Sequence, residues 1–265
     1  MSGGAMLAAV DIGNSSTKIG LLELPVAAGV DGSMLPRQLL DFPTGQPLPA
    51  AVAERLLSIS APLRWEIASV NRGGTATVEA WVHEHRPQDT LRVLTRHDLP
   101  IALLVDQPER VGLDRMLVAV VANRLRSPSR PAVVICAGTA VTMNVVNRQG
   151  EFLGGAILPG FQMQSRSLRG GTDQLPLTEV IHEQLPPPAI GRNTEEAIRS
   201  GLYWGMVGAV QQLVAETERT LGEAPELFVT GGDLDRLAAL SLEQARFLPS
   251  MVLQGIASLH LPAGH

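Results

Sequence analysis

The chain has 265 residues, enough for one large or two small domains with a sizeable core. Hydrophobic residues at 45% and charged residues at 18% give a globular rather than a disordered composition. Aromatics at 3% are too few for a base-stacking platform, and a net charge of -5 draws in no phosphate backbone, so nucleic acid is not expected as a partner.

Strands and helices alternate along the chain. Residues 7–12 (LAAVDI) form an apolar run stopped by Gly13-Asn14 and read as a buried strand. Residues 17–24 read as its hairpin partner and 37–42 as a third strand. Residues 48–58 read as a helix and 65–70 as a strand. A helix follows from NRGG to about Arg86, and a further strand is expected at 101–105 (IALLV). From Arg115 to Arg126 the pattern is helical and nearly all apolar in its middle, which places that helix inside the molecule. SPSRP then ends it. Residues 132–136 (AVVIC), 141–146 (VTMNVV) and 151–157 (EFLGGAI) read as three more strands, with AGTA and NRQG as their turns. The order strand, glycine- and hydroxyl-containing turn, strand, turn, strand therefore occurs twice, half a chain apart. It reads as a duplicated unit: two similar domains facing each other over a cleft.

Asn193 or Thr194 caps the next helix, which runs to about Arg219, with Glu196 placed to reciprocate to Asn193. Gly201, Gly205 and Gly208 lie along it. Each costs ~1 kcal/mol of helix propensity against alanine, so another backbone is expected close by. LFVT (227–230) reads as a buried strand ending in Gly231-Gly232, and the tail from about Leu242 reads as a final helix.

Cys136 is the single cysteine, which leaves no internal disulfide and no multi-cysteine zinc site. No apolar stretch of ~20 residues is present, and the first residues lack a basic segment, so neither a membrane span nor a signal peptide is expected, and a cytoplasmic location is. Walker and GxGxxG patterns are absent. His83-Glu84-His85 lacks metal-ligand spacing.

Three segments could carry chemistry. The first is Asp11-Ile-Gly13-Asn14-Ser15-Ser16-Thr17-Lys18. Backbone N–H groups from Gly13 to Ser16 can point at phosphate oxygens, the hydroxyls can add donors, and Lys18 can place a point charge. Asp11 is a hard oxygen ligand suited to Mg2+, directly or through water. The plainer reading is an ordinary hairpin turn. The second is Cys136-Ala-Gly138-Thr139-Ala-Val-Thr142, either a tight turn in a core or, paired with the first, half of a phosphate clamp between two domains. The third is Gly112-Leu-Asp114-Arg115 at a loop-to-helix junction. Asp114 can cap the helix there, or serve as a general base beside an anion-binding guanidinium.

Taken in order, these segments resemble the type III pantothenate kinases, in the superfamily of acetate and sugar kinases and actin. DIGNSSTKIGL resembles the first phosphate motif and PERVGLDR the Gly-x-Asp-Arg motif. AGTAVT with EFLGGAILPGFQM resembles the second phosphate segment. IGRNTEEAIRSGLYWG and VTGGD resemble the later substrate and adenosine segments. The resemblance implies an α/β chain of two ribonuclease H-like, actin-like ATPase domains, here split as 1–114 and 115–265 with the final helix packing back on the first. It implies a homodimer, and transfer of the ATP γ-phosphoryl group to the primary hydroxyl of pantothenate, the opening step of coenzyme A synthesis. Asp11 would serve the Mg–phosphate region with Gly13, Asn14, Ser15 and Lys18. Asp114 would be the base, Gly112, Arg115 and Thr194 would bind pantothenate, Gly138 and Thr139 would contact phosphate, and Gly231 and Gly232 would line the nucleotide side. Such enzymes commonly require K+ or NH4+. The chain departs from the family at Cys136, where Asp is usual and where a thiol cannot replace a carboxylate for a hard cation. It departs again at Asn144, usually Asp, and at Val105 and Gln107, usually Tyr and Asn. The alternatives are a nucleotide-binding regulator without catalysis, or a kinase of another small hydroxyl compound.

Overall fold

The computed structural model describes residues 5–180, 186–233 and 245–261. The chain forms two compact units. The first comprises Met1–Ile101, Asp106–Leu125 and Ser250–His265; the second comprises Ala102–Val105 and Arg126–Pro249.

In the first unit, β1 (Met6–Ile12), β2 (Ser16–Glu23) and β3 (Gln38–Pro43) form an antiparallel meander. After α1 (Ala50–Leu57), β4 (Leu63–Ser69) lies parallel to the other side of β1. After α2 (Arg72–His85), β5 (Thr90–Val93) lies parallel to β4. The order is β3-β2-β1-β4-β5. β1 is central and covered on both faces, which is why its residues 7–10 are apolar without alternation and wholly buried. Asn71 caps α2 by accepting the Gly74 N–H at 2.9 Å. α3 (Leu113–Leu125) buries seven consecutive residues from Met116 to Ala122, as its all-round apolar pattern predicts. α3 spans residues 114 and 115, the expected domain boundary, and lies wholly in the first unit. Gly255 of α6 (Met251–Ser258) lets this last helix press against α3: a Cβ there would lie 2.8 Å from Leu117 Cβ and O.

The second unit repeats the plan. β6 (Ala132–Ala137), β7 (Ala140–Val146) and β8 (Phe152–Pro159) form the meander. After α4 (Phe161–Gly170) and the 28-residue α5 (Thr194–Leu221), β9 (Glu226–Thr230) lies parallel to β6, and β10 (Arg246–Phe247) parallel to β9. The sheet order is β10-β9-β6-β7-β8, the first sheet's order strand for strand, so the duplication read from the sequence is present.

Several expectations need correction. Residues 101–105 form no strand; Leu103 makes a single parallel bridge to Phe152 at the edge of β8. The short, mostly exposed β5 and the helix α4 are absent from the sequence reading; β5 is only four residues long, whereas α4 does carry an apolar face that the reading passed over. A Cβ added at Gly201, Gly205 or Gly208 would meet no atom of the described residues within 4 Å, so no close backbone compensates for these glycines there. Asn193 does cap α5, accepting the Glu196 N–H at 2.9 Å, but the Glu196 carboxylate accepts from the Arg192 N–H at 2.7 Å and not from Asn193. Leu242, the expected start of the final helix, lies outside the described residues; α6 begins at Met251. Among the described residues no helix is long and apolar enough to cross a membrane.

Candidate active site

Strand register assembles the first set of charges. Asp11 on β1 pairs with Lys18 on β2, and Lys18 pairs with Asp41 on β3. Directly opposed residues share a sheet face, so Asp11, Lys18 and Asp41 make one row across three strands. Asp114 stands in the first turn of α3 and acts on Asp11 electrostatically. Burial, then the charge of Asp114, then Asp41 push the Asp11 carboxyl up from 3.8 to about 7, against the pull of Lys18. The residues expected as metal site and base are thus brought together in one unit.

Asp114 is itself raised, first by burial, against the lowering effect of the Arg115 backbone N–H and the Arg115 charge. A carboxylate in the first turn of a helix is favoured by the free N–H groups there, so Asp114 both stabilises α3 and keeps a chemically competent group. Gly112 leaves room for the Asp114 carboxyl: a side chain at this position would have to push Asp114 Oδ1 aside. The turn after β1 is less open than expected. The Gly13 N–H, offered above to a phosphate, donates to Ser16 O at 3.0 Å and closes the turn instead. Asn14 and Ser15 are exposed at its tip.

In the second unit Cys136 holds the place of Asp11. Each is the next-to-last residue of its central strand; Cys136 pairs with Thr142 of β7 as Asp11 pairs with Lys18, and with Thr230 of β9 as Asp11 pairs with Ala68. The Gly138–Thr139 turn follows. The Gly138 N–H donates to Ala140 O at 3.2 Å. Gly160 packs on this turn so tightly that a Cβ would lie 2.6 Å from Thr139 O. Gly231, at φ +119, closes on it from β9: a Cβ would lie 2.6 Å from the backbone N and C of Ala137, and the Asp233 N–H donates to Ala137 O at 3.1 Å. Gly138, Thr139 and Gly231 therefore form one backbone cluster, with Gly232 following in the turn. Gly231→Ala combines a disfavoured backbone conformation with a backbone collision, and is expected to cost about 3 kcal/mol or more, read as a lower urea midpoint. An unchanged midpoint would contradict that packing.

Beneath this turn Asn144, fully buried on β7, donates from Nδ2 to Thr142 Oγ1 at 3.1 Å and to Cys136 Sγ at 3.6 Å. Thr194 lies elsewhere in the unit, at the start of α5. It lines a cavity of about 810 Å3 together with Pro159, Gln164, Leu168, Leu175 and Gly201. Asp41 is the charged residue that sequence reasoning missed: it stands in no motif, but could have been found from the β2–β3 hairpin register.

A family model described as type III pantothenate kinase matches residues 7–216. A type III pantothenate kinase of Rhodopirellula baltica is 39% identical over 200 residues, covering 74% of this chain and 71% of that protein. One of Dehalococcoides mccartyi is 30% identical over 266 residues, covering 96% and 95%. Among solved structures, a candidate 2-dehydro-3-deoxygalactonokinase from Sinorhizobium meliloti superposes with a TM-score of 0.51 at 15% identity, covering 96% of this chain and 97% of that one, which speaks for the fold alone.

Proposed function

This chain belongs to the type III pantothenate kinase family, and on that premise we propose that it transfers the γ-phosphoryl group of ATP to the primary hydroxyl of pantothenate, the opening step of coenzyme A synthesis. The observation that carries the reading is the half-buried pair Asp11 and Asp114 in one unit, where the charge of Asp114 helps to raise the Asp11 carboxyl. Phosphoryl transfer asks the protein mainly for positioning and charge stabilisation. In this reading Asp114 accepts the hydroxyl proton as the oxygen attacks phosphorus, and the bond to the ADP oxygen breaks. A raised pKa suits a group that must take up a proton near neutrality. Arg115, adjacent in sequence, pairs with the substrate carboxylate. Within the first unit the reading assigns Lys18, Asn14 and Ser15 to phosphate and Gly112 to pantothenate; within the second it assigns Gly138 and Thr139 to phosphate, Gly231 and Gly232 to the nucleotide, and Thr194 to pantothenate.

The residues fit a Mg2+ ion. A half-buried carboxyl raised by a second carboxyl is the donor set that a hard cation relieves, and with no cluster of three or more His, Cys, Asp or Glu among the described residues the remaining ligands would be water and phosphate. Asp11 would hold the ion, which when bound would supply charge neutralisation on the phosphates. The residues do not fit a monovalent cation at Cys136. A soft sulfur that accepts an amide hydrogen bond replaces the hard anionic oxygen such an ion takes. A homodimer belongs to the same reading and is checked by sedimentation equilibrium.

Purified protein with ATP, Mg2+, pantothenate and either KCl or choline chloride is expected to form 4'-phosphopantothenate. No product in any salt removes the assignment. Calorimetric binding of nucleotide without turnover would instead favour a nucleotide-binding regulator, the reading that the neutral Cys136–Asn144 pair motivates.

A further inference from the structure

The second glycine turn keeps the duplicated plan in backbone and changes it in charge. In the first sheet the row through the central strand reads Asp41, Lys18, Asp11, Ala68; in the second it reads Ile157, Thr142, Cys136, Thr230. The first row holds three formal charges and the second none. Asn144 lies two residues beyond Thr142 on β7, wholly buried, and its amide donates to two atoms that line this place, Thr142 Oγ1 and Cys136 Sγ. A cation site needs the reverse: lone pairs turned inward and preferably a carboxylate. Donor hydrogens from a buried amide already occupy two acceptors here, and freeing them would leave a buried polar group unsatisfied, at a cost of ~1–3 kcal/mol for each.

We propose that the Asn144–Thr142–Cys136 cluster braces the second phosphate turn in place of a bound monovalent cation, so that this chain turns over without K+ or NH4+. The inference rests on the kinase reading above. The amide does mechanically what an ion would do between the strands: it ties β6 to β7 directly below Gly138 and Thr139. It does so with no net charge, so the turn is held in shape without an added cation behind it. Gly160 and Gly231 then clamp the turn from two other elements, β8's end and β9's end, which leaves its geometry dependent on packing and not on salt.

The test compares salts at equal ionic strength. Enzyme dialysed into choline chloride is assayed with Mg–ATP and pantothenate, the product being read directly by mass spectrometry, and then again in KCl and in NH4Cl. Rates within about twofold of one another support the inference; a rise of about tenfold or more on adding K+ or NH4+ overturns it. If no salt yields product, the kinase reading fails, and a second measurement still decides the cation question. Thermal unfolding of the nucleotide-bound protein is expected to have the same midpoint in KCl and choline chloride, whereas a midpoint raised by KCl alone would reveal a bound ion and overturn the inference. The double variant Cys136→Asp/Asn144→Asp installs two carboxylates at the same place. Once circular dichroism shows it folded, it is expected to gain a KCl-dependent rise in midpoint. A folded double variant with no such response would overturn the assignment of this cluster as the place where the requirement is lost.

Discussion

Asp114→Asn is expected to lower kcat by about 10²–10⁴-fold with little change in KM for ATP and no loss of secondary structure. Asn keeps the size of the side chain and one acceptor oxygen, so α3 retains a favourable group in its first turn, and the seven buried residues behind it are untouched. What disappears is the capacity to take up a proton. The same substitution has a second, independent signature. The charge of Asp114 is the largest influence after burial raising Asp11, so in the variant Asp11 should titrate at a lower pH. A carboxyl resonance of Asp11 that moves down while turnover collapses would tie both effects to one contact. Unchanged turnover would dismiss Asp114 as the base, and an unmoved Asp11 would deny the coupling.

Asp11→Asn is expected to abolish Mg-dependent turnover and, in the metal-free protein, to raise stability at alkaline pH. The sign follows from the direction of the shift. Asp11 titrates near 3.8 when unfolded and at about 7 when folded, so the folded state holds the proton more tightly. The group's contribution is most favourable below the unfolded value and is lost as pH rises through about 7. Ligand-free protein in EDTA should therefore lose up to a few kcal/mol between about pH 4 and about pH 8 from this group alone. The neutral Asn variant lacks that loss, so its urea midpoint at about pH 8 should exceed that of the parent chain and change less with pH. A variant less stable than the parent under those conditions would show that the Asp11 charge is satisfied in the folded state. Binding of Mg–ATP should release protons near neutrality, because a cation at Asp11 favours the ionised form. Calorimetry in buffers of different ionisation enthalpy reads that release.

The two predictions also separate what is chemical from what is structural in the pair. Asp114 is replaceable in shape but not in proton affinity. Asp11 is a liability to the empty fold and useful only when a cation stands against it, a stability cost of the kind that functional sites commonly carry.

Much of this protein is legible from its residues alone. The central strands β1 and β6 announce themselves because a strand covered on both faces must be apolar throughout. α3 does so because an interior helix has no polar side, and the repeated turns because each breaks an apolar run with glycine and hydroxyl residues. The ordered motifs from Asp11 to Gly232 identify the family for the same local reason. The short β5, the lone bridge at Leu103 and the open face at Gly201, Gly205 and Gly208 are not legible, since each depends on a neighbour distant in sequence or on its absence among the described residues. Tertiary structure alone decided that α3 serves the first sheet's unit and that Asn144 turns its amide onto Cys136. Local sequence sets which residues can bend, pair or hide from water; register and burial, which only the folded chain possesses, set which charges meet and so at what pH they act.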